Sequence, residues 1–162
     1  MTLTVAAWLA VIAYQLHIME EFFFDWRNWA RDVIGLPVEW PDFYVTNASV
    51  VVLGIAQAML ASTFPLMTLS FSGLMLINAV LFHFVPMIRT RGRFSPGAAT
   101  ALVLFLPSVA LSWWTALETG VVGAGTIALG VLIGALLMAY PIVMLRLRTK
   151  PYFQQNRTAE GE

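Results

Sequence analysis

The chain has 162 residues; 59% are hydrophobic, only 11% are charged, and the formal net charge is zero. Soluble domains carry about 25% charged residues, so, with a mean hydropathy of +0.78, this is the composition of a membrane protein, and nothing in the charge points to nucleic acid. With no cysteine, a disulfide framework, a thiol nucleophile and a thiolate metal site are excluded.

In chain order, the first apolar run covers about Leu3–Phe24. It is uncharged as far as Leu16, then reads His17-Ile18-Met19-Glu20-Glu21 before Phe22, Phe23 and Phe24. It has no basic leader and no small-residue cleavage site, so it reads as a retained span. The next segment, Asp25–Phe43, is the only long polar connection. In it Trp26, Trp29, Trp40 and the following Tyr44 interleave with Asp25, Arg27, Arg31 and Asp32. That mixture predicts a short helix at the headgroup level, ended by Pro37 and Pro41. A second span follows at about Tyr44–Phe64, and Pro65 separates it from a third at about Leu66–Ile88. The fourth covers about Ser95–Leu117 and the fifth about Val121–Leu145. Each run matches the roughly 20 apolar residues that a bilayer core of about 30 Å demands. The expected fold is all-α, a five-transmembrane-helix bundle over residues 1–150, with a polar tail over 151–162 disordered from Gln154.

Arginine and lysine orient the bundle. Arg89, Arg91 and Arg93 follow the third span, Arg146, Arg148 and Lys150 follow the fifth, and Arg27 and Arg31 lie in the first connection. With five spans, these eight and Arg157 of the tail, all nine basic residues, fall on one side, which predicts N-out/C-in in a bacterial inner membrane. Trp8, Trp113 and Trp114 then belong to the outer aromatic belt, with Glu118 as an interface charge.

This topology places most polar residues of the spans in the same half of the membrane. They are His17, Glu20 and Glu21 of the first span, Asn47 of the second, His83 of the third and Thr100 of the fourth, with Asn78 nearer mid-membrane. Tyr14, His17 and Glu21 share one helix face. Glu20 is rotated about 100° from Glu21, so the two carboxylates address different neighbours. Asn78 and His83 are about 140° apart on a regular helix, although Pro86 leaves the carbonyl of Phe82 without its usual partner.

Each carboxylate at membrane depth costs roughly 2.5–3.5 kcal/mol, and three readings account for the pair. In the first, Glu20 and Glu21 lock the helices together by pairing with His17, His83 or Arg89. In the second, they perform acid–base chemistry: crowding raises one carboxyl's proton affinity, and His17 acts as base or orienting partner. Here Tyr14, Asn47, Asn78, Thr100 and Arg89 are the candidate substrate-binding residues. In the third, His17, Glu21 and His83 hold one divalent metal ion.

The sequence His17-Ile-Met-Glu20-Glu21 resembles the name-giving motif of the HXXEE family of small integral membrane proteins. Two further features are similar to that family's secondary motifs: Asn78 followed by His83, and Phe94-Ser95-Pro96-Gly97-Ala-Ala-Thr100. In the latter, Phe94 stands where the family pattern has tyrosine. The resemblance spans roughly residues 8–145 and implies no reaction, because the family is functionally uncharacterised. A looser likeness, His17 and Glu21 in a His-x-x-x-Glu spacing, is to the emopamil-binding, sterol-isomerase-like group. The pattern of glutamate-type intramembrane proteases does not fit, since Arg27 lies too far from Glu20-Glu21.

The expected function is an integral membrane enzyme, an isomerase, cyclase or hydrolase, acting on a lipid or isoprenoid-like substrate that reaches the site from the membrane. The alternative is a non-enzymatic lipid- or ligand-binding protein, a small transporter, or a helper subunit of a membrane complex. Gly130 and Gly134 form a small-residue pair. They are read first as close packing within the bundle, and alternatively as the face toward a second copy or a membrane partner.

Overall fold

The computed structural model describes residues 1–120 and 122–153. Six long or amphipathic helices organise them: α1 Leu3–Phe23, α2 Trp26–Val33, α3 Trp40–Leu60, α4 Pro65–Arg89, α5 Ala98–Glu118 and α6 Ala124–Arg148. A short 3-10 turn follows at Pro151–Phe153, and there is no strand among the described residues. All but α2 are long and apolar enough to cross a membrane. The protein is an all-α, multi-pass membrane protein. The segment from Gln154 on lies outside the described residues.

All five expected spans are recovered; the fifth runs Ala124–Arg148 rather than about Val121–Leu145, and two other shifts have clear local causes. The first concerns the connection after α1. Asp25 takes a left-handed backbone (φ 57°) and its carboxylate accepts from Asn28, so one residue both turns the chain and caps α2. The prolines do not end α2, contrary to expectation. It stops at Val33, and Gly35 turns the chain at φ 66°. Pro41 instead lies in the first turn of α3, where no backbone donor is needed. A capping box between Glu39 and Asp42 starts α3 at Trp40 rather than Tyr44. The second adjustment is at the fourth span, which becomes helical only at Ala98, after Gly97 (φ 95°).

α2 packs against the bundle. Trp29 is buried with Ala30, Leu36 and Val38 against Phe82, Ile142 and Leu145. Arg27 and Arg31 both pair with Glu39, and Arg148 pairs with Asp42. The basic end of the molecule is thus closed by a clamp of surface ion pairs.

Small residues set the helix spacing. Ala6, Ala7, Ala10 and Ala13 are buried along α1. The α4–α6 contact is tighter. A Cβ on Gly134 would lie 2.3 Å from the backbone nitrogen of Leu74, and one on Gly130 would lie 2.7 Å from Leu69 Cβ. Without water between the helices, close van der Waals approach at small residues is a main source of cohesion. Gly130 and Gly134 are the buried residues of α6, so the chain's own α4 fills the face considered above for a second copy or partner. Two polar contacts add to this packing. Gln57 Nε2 donates to Ala7 O at 3.0 Å, and Trp113 Nε1 donates to Ser72 Oγ at 3.1 Å. Trp113 is half-buried in this contact, whereas Trp8 and Trp114 are exposed. Glu118 is exposed and accepts from Trp114 Nε1.

Two spans widen into π-helix, Ala79–Phe84 in α4 and Ala101–Phe105 in α5. In each, a proline stands two residues further on, Pro86 and Pro107. Proline cannot supply the i→i−4 hydrogen bond, and a π segment is the usual insertion of one residue into the ladder. The carbonyl of Phe82 receives the hydroxyl of Ser95, at 3.5 Å.

Candidate functional site

The site begins with the α4 widening. A π turn closes on i+5, so Asn78 and His83 come together instead of diverging: His83 Nε2 lies 3.1 Å from Asn78 Oδ1. His17 of α1 meets His83 edge-on, with ring centroids 4.9 Å apart. Both imidazoles are fully buried, and the Glu21 carboxylate lies between them. Its Oε1 is 3.5 Å from His17 Nε2 and 3.5 Å from His83 Nε2.

The other nitrogen of each ring is held by a hydroxyl. His17 Nδ1 lies 2.9 Å from Thr100 Oγ1, and His83 Nδ1 lies 3.0 Å from Ser95 Oγ. Thr100 fixes the His17 tautomer. Its hydroxyl donates to Glu20 Oε2 at 2.5 Å, a short charge-assisted bond. The proton of that hydroxyl is thereby committed, so Thr100 accepts from Nδ1–H of His17. His17 Nε2 is left as a bare lone pair, buried and without a hydrogen-bond partner.

Glu20 and Glu21 do address different neighbours. Glu20 accepts the backbone N–H of Ala99 (3.2 Å) and of Thr100 (2.7 Å) as well as the Thr100 hydroxyl. It thus neutralises the amino-terminal turn of α5, where unpaired N–H groups favour a negative charge. Glu21 faces the imidazoles. Neither carboxylate pairs with an arginine or lysine among the described residues. Arg89 is exposed and reaches neither of them, so it is not part of this cluster.

Tyr14 is buried beside the pair, stacked on Phe105 at 5.4 Å and tilted against Phe71. Asn47 is half-buried, and its amide donates to Phe43 O in its own helix at 3.0 Å. Tyr14, Glu21, Asn47 and Asn78, with Trp26 and Val38, line a cavity of about 70 Å³. Asp42, Thr46, Pro141 and Leu145 line both this cavity and a mostly apolar groove of about 540 Å³ between α3 and α6.

Three residues were not singled out as site residues. Ser95 orients His83, and Phe105 packs on His17 at 4.2 Å. Gly97 makes room for the cluster. A Cβ there would lie 2.6 Å from His83 Cε1, 2.7 Å from His17 Cε1 and 3.0 Å from Glu21 Cγ. The Ser-Pro-Gly turn before a span was the available signal for Ser95 and Gly97. Phe105 had none, because an apolar ring in a membrane helix is unremarkable.

Residues 8–115 match the model of a protein family described as a protein of unknown function with HXXEE motif. This chain belongs to the HXXEE family. The matched segment of this HXXEE protein contains every residue of the cluster and ends before α6. No curated protein and no solved structure matches the chain.

Proposed function

We propose that this HXXEE protein is an integral membrane enzyme performing acid–base chemistry at the meeting point of Glu21, His17 and His83. The substrate is a lipid or isoprenoid-like molecule, and the reaction is an isomerisation, cyclisation or hydrolysis. We place the basic end in the cytoplasm of a bacterial cell, following the arginine distribution. One observation carries the reading: a carboxylate oxygen stands 3.5 Å from each of two imidazole nitrogens, and Glu21 lines a small, mainly apolar cavity. Groups of this kind, held in a low-dielectric site, exchange protons readily with a bound substrate.

Access supports the substrate class. The 70 Å³ cavity admits the reacting end of a molecule and not a whole lipid, while the adjoining 540 Å³ groove is the size of an apolar chain. Thr46 and Pro141 stand between the two. Glu20 and Thr100 serve as positioning residues for His17, Tyr14 and Asn78 border the reacting end, and Asn47 lines the far wall.

The test is turnover in vesicles of a bacterial lipid extract. Wild-type protein and Glu21→Gln are reconstituted separately, and the lipids are compared by mass spectrometry after incubation. A species consumed and a product formed by the wild type alone support the enzyme. Identical lipid profiles, with both proteins folded, overturn it.

A further inference from the structure

We infer that His17 Nε2, His83 Nε2, Glu21 Oε1 and Asn78 Oδ1 form a binding site for one divalent transition-metal ion. The inference deepens the reading above by naming what acts at the centre, and it rests on the same side chains.

Three independent observations converge. The first is spacing. The ligand atoms of His17, Glu21 and His83 all lie within 4.8 Å of one another, with Glu21 Oε1 3.5 Å from each imidazole nitrogen, while Asn78 Oδ1 stands at hydrogen-bond distance, 3.1 Å, from His83 Nε2. Ligands about 2.0–2.2 Å from a tetrahedral ion stand roughly 3.3–3.6 Å apart. A direct hydrogen bond between Glu21 and either imidazole would be shorter than 3.5 Å.

The second is the direction of the lone pairs. Thr100 commits His17 Nδ1 as the protonated nitrogen, so a bare Nε2 faces the carboxylate. If His83 carries its proton on Nε2, that proton goes to Asn78 or Glu21, and His17 Nε2 still has no donor. A protonated Glu21 donating to His17 Nε2, with His83 Nε2–H on Asn78, is the metal-free alternative; with Glu21 ionised, His17 Nε2 has no donor. A single cation satisfies His17, Glu21, His83 and Asn78 together. The hydroxyls on both Nδ1 atoms fit this arrangement, since metal-binding histidines characteristically fix their second nitrogen by a hydrogen bond.

The third is charge. Glu20 and Glu21 bring two carboxylates into the span, and no lysine or arginine among the described residues pairs with them. A divalent ion beside Glu21 balances both, with the Glu20 charge transmitted through Thr100 to the back of His17. The HXXEE spacing then has a physical reason: the first glutamate orients the histidine and the second shares its ion. Two imidazoles with one carboxylate and one amide oxygen suit Zn²⁺, Co²⁺ or Fe²⁺ rather than Mg²⁺ or Ca²⁺. Four protein ligands close a tetrahedral site, so an acidic bound water would need a fifth position or displacement of Asn78 Oδ1, whose residue lines the cavity.

The experiment uses the full chain, purified in mild detergent with a tag that contains no histidine. The protein is equilibrated with Zn²⁺, freed of excess metal and subjected to elemental analysis; Co²⁺ is titrated separately and followed by its visible absorption. The expected result is about one ion per chain and tetrahedral Co²⁺ bands, with affinity at least about 10-fold lower in Glu21→Gln and His83→Gln. Asn78→Ala weakens binding, and Asn78→Asp retains or tightens it because a carboxylate oxygen replaces the amide oxygen. Wild-type protein that takes up no zinc and gives no Co²⁺ bands overturns the inference, as does uptake unchanged in folded Glu21→Gln. Should a variant misfold, wild-type stoichiometry and the Co²⁺ spectrum decide alone. Ion binding without lipid turnover leaves this site standing and overturns the enzyme; turnover by a protein that takes up no zinc does the reverse.

Discussion

Gly97 and His83 touch: a Cβ added to Gly97 would stand 2.6 Å from His83 Cε1, closer than carbon atoms approach. The same Cβ would meet His17 Cε1 at 2.7 Å, and the φ of 95° lies where side chains are strained. The chain turn before α5 is therefore one wall of the histidine pair. Gly97→Ala is expected to lower stability by about 1–3 kcal/mol from backbone strain alone, with the steric clash adding to it. Thermal unfolding in detergent, followed by helix circular dichroism, checks this. A midpoint equal to that of the wild type would show that the turn moves freely away from the rings. The neighbouring Ala98→Gly substitution, which adds no atom, is the control.

The clamp at the basic end gives a pH dependence. Glu39 is held below the ordinary carboxylate range, first by its hydrogen bond to Arg27 and then by the charges of Arg27 and Arg31. A carboxyl lowered in the folded state adds stability above its unfolded value of about 4.3 and loses it as pH falls through the lower folded value. Acidification below pH of about 4 is thus expected to loosen Asp25–Glu39 before the bundle melts. Because the pair is exposed, the effect is local and weakened by salt. Tryptophan emission, which reports Trp26 and Trp29 beneath this clamp, is the readout. The acid step should disappear in Glu39→Gln, and a step of the same size in that variant would remove Glu39 as its cause.

The spans were legible because a bilayer imposes length, and Ser62-Thr63-Phe64-Pro65 had to interrupt a stretch too long for one crossing. The convergence of His17, Glu21, His83 and Thr100 was legible from depth alone. The pairing of Asn78 with His83 was not, because regular helix geometry puts them on different faces. Only the π insertion ahead of Pro86 brings them together. Proline signalled a disturbance there without saying whether the helix would kink or widen. Arg89 was misjudged for a related reason. Nothing in one-dimensional spacing shows that the α5 amino terminus supplies the counter-dipole to Glu20 instead. The same limit applies to Pro41, which looks like a terminator until the Glu39–Asp42 box makes it a first-turn residue.

α6 depends on one close approach. Its exposed sides are apolar and its buried residues are Gly130 and Gly134. Gly134→Val would force a side chain into the backbone of Gly73 and Leu74, which lie 2.5 and 2.3 Å from the Cβ position. Overpacking of this kind costs about 1–3 kcal/mol or more. The expected outcome is an α6 that separates from α4 while the α1–α5 packing persists, seen as faster proteolysis near Arg146 and Arg148. Equal proteolysis of variant and wild type would show that α6 is held by other contacts.

Thr100 links the two glutamates through His17, and its removal isolates that link. Thr100→Val keeps the shape but deletes the acceptor of His17 Nδ1–H and the donor to Glu20 Oε2. Each lost buried hydrogen bond that strands a partner costs about 1–3 kcal/mol. Thr100→Ser retains the hydroxyl and should behave as the wild type apart from one lost methyl. The sharper consequence is in the ring. With Nδ1 no longer committed to an acceptor, the proton of His17 can move to Nε2 and donate to Glu21 Oε1, 3.5 Å away. Nitrogen-15 shifts of His17 in metal-free protein distinguish the two tautomers. A proton on Nδ1 in the wild type and in Thr100→Ser, with transfer to Nε2 in Thr100→Val, is the expected pattern. A proton on Nε2 in the wild type would mean that Thr100 donates to the histidine, and that Glu20 holds only the backbone of α5.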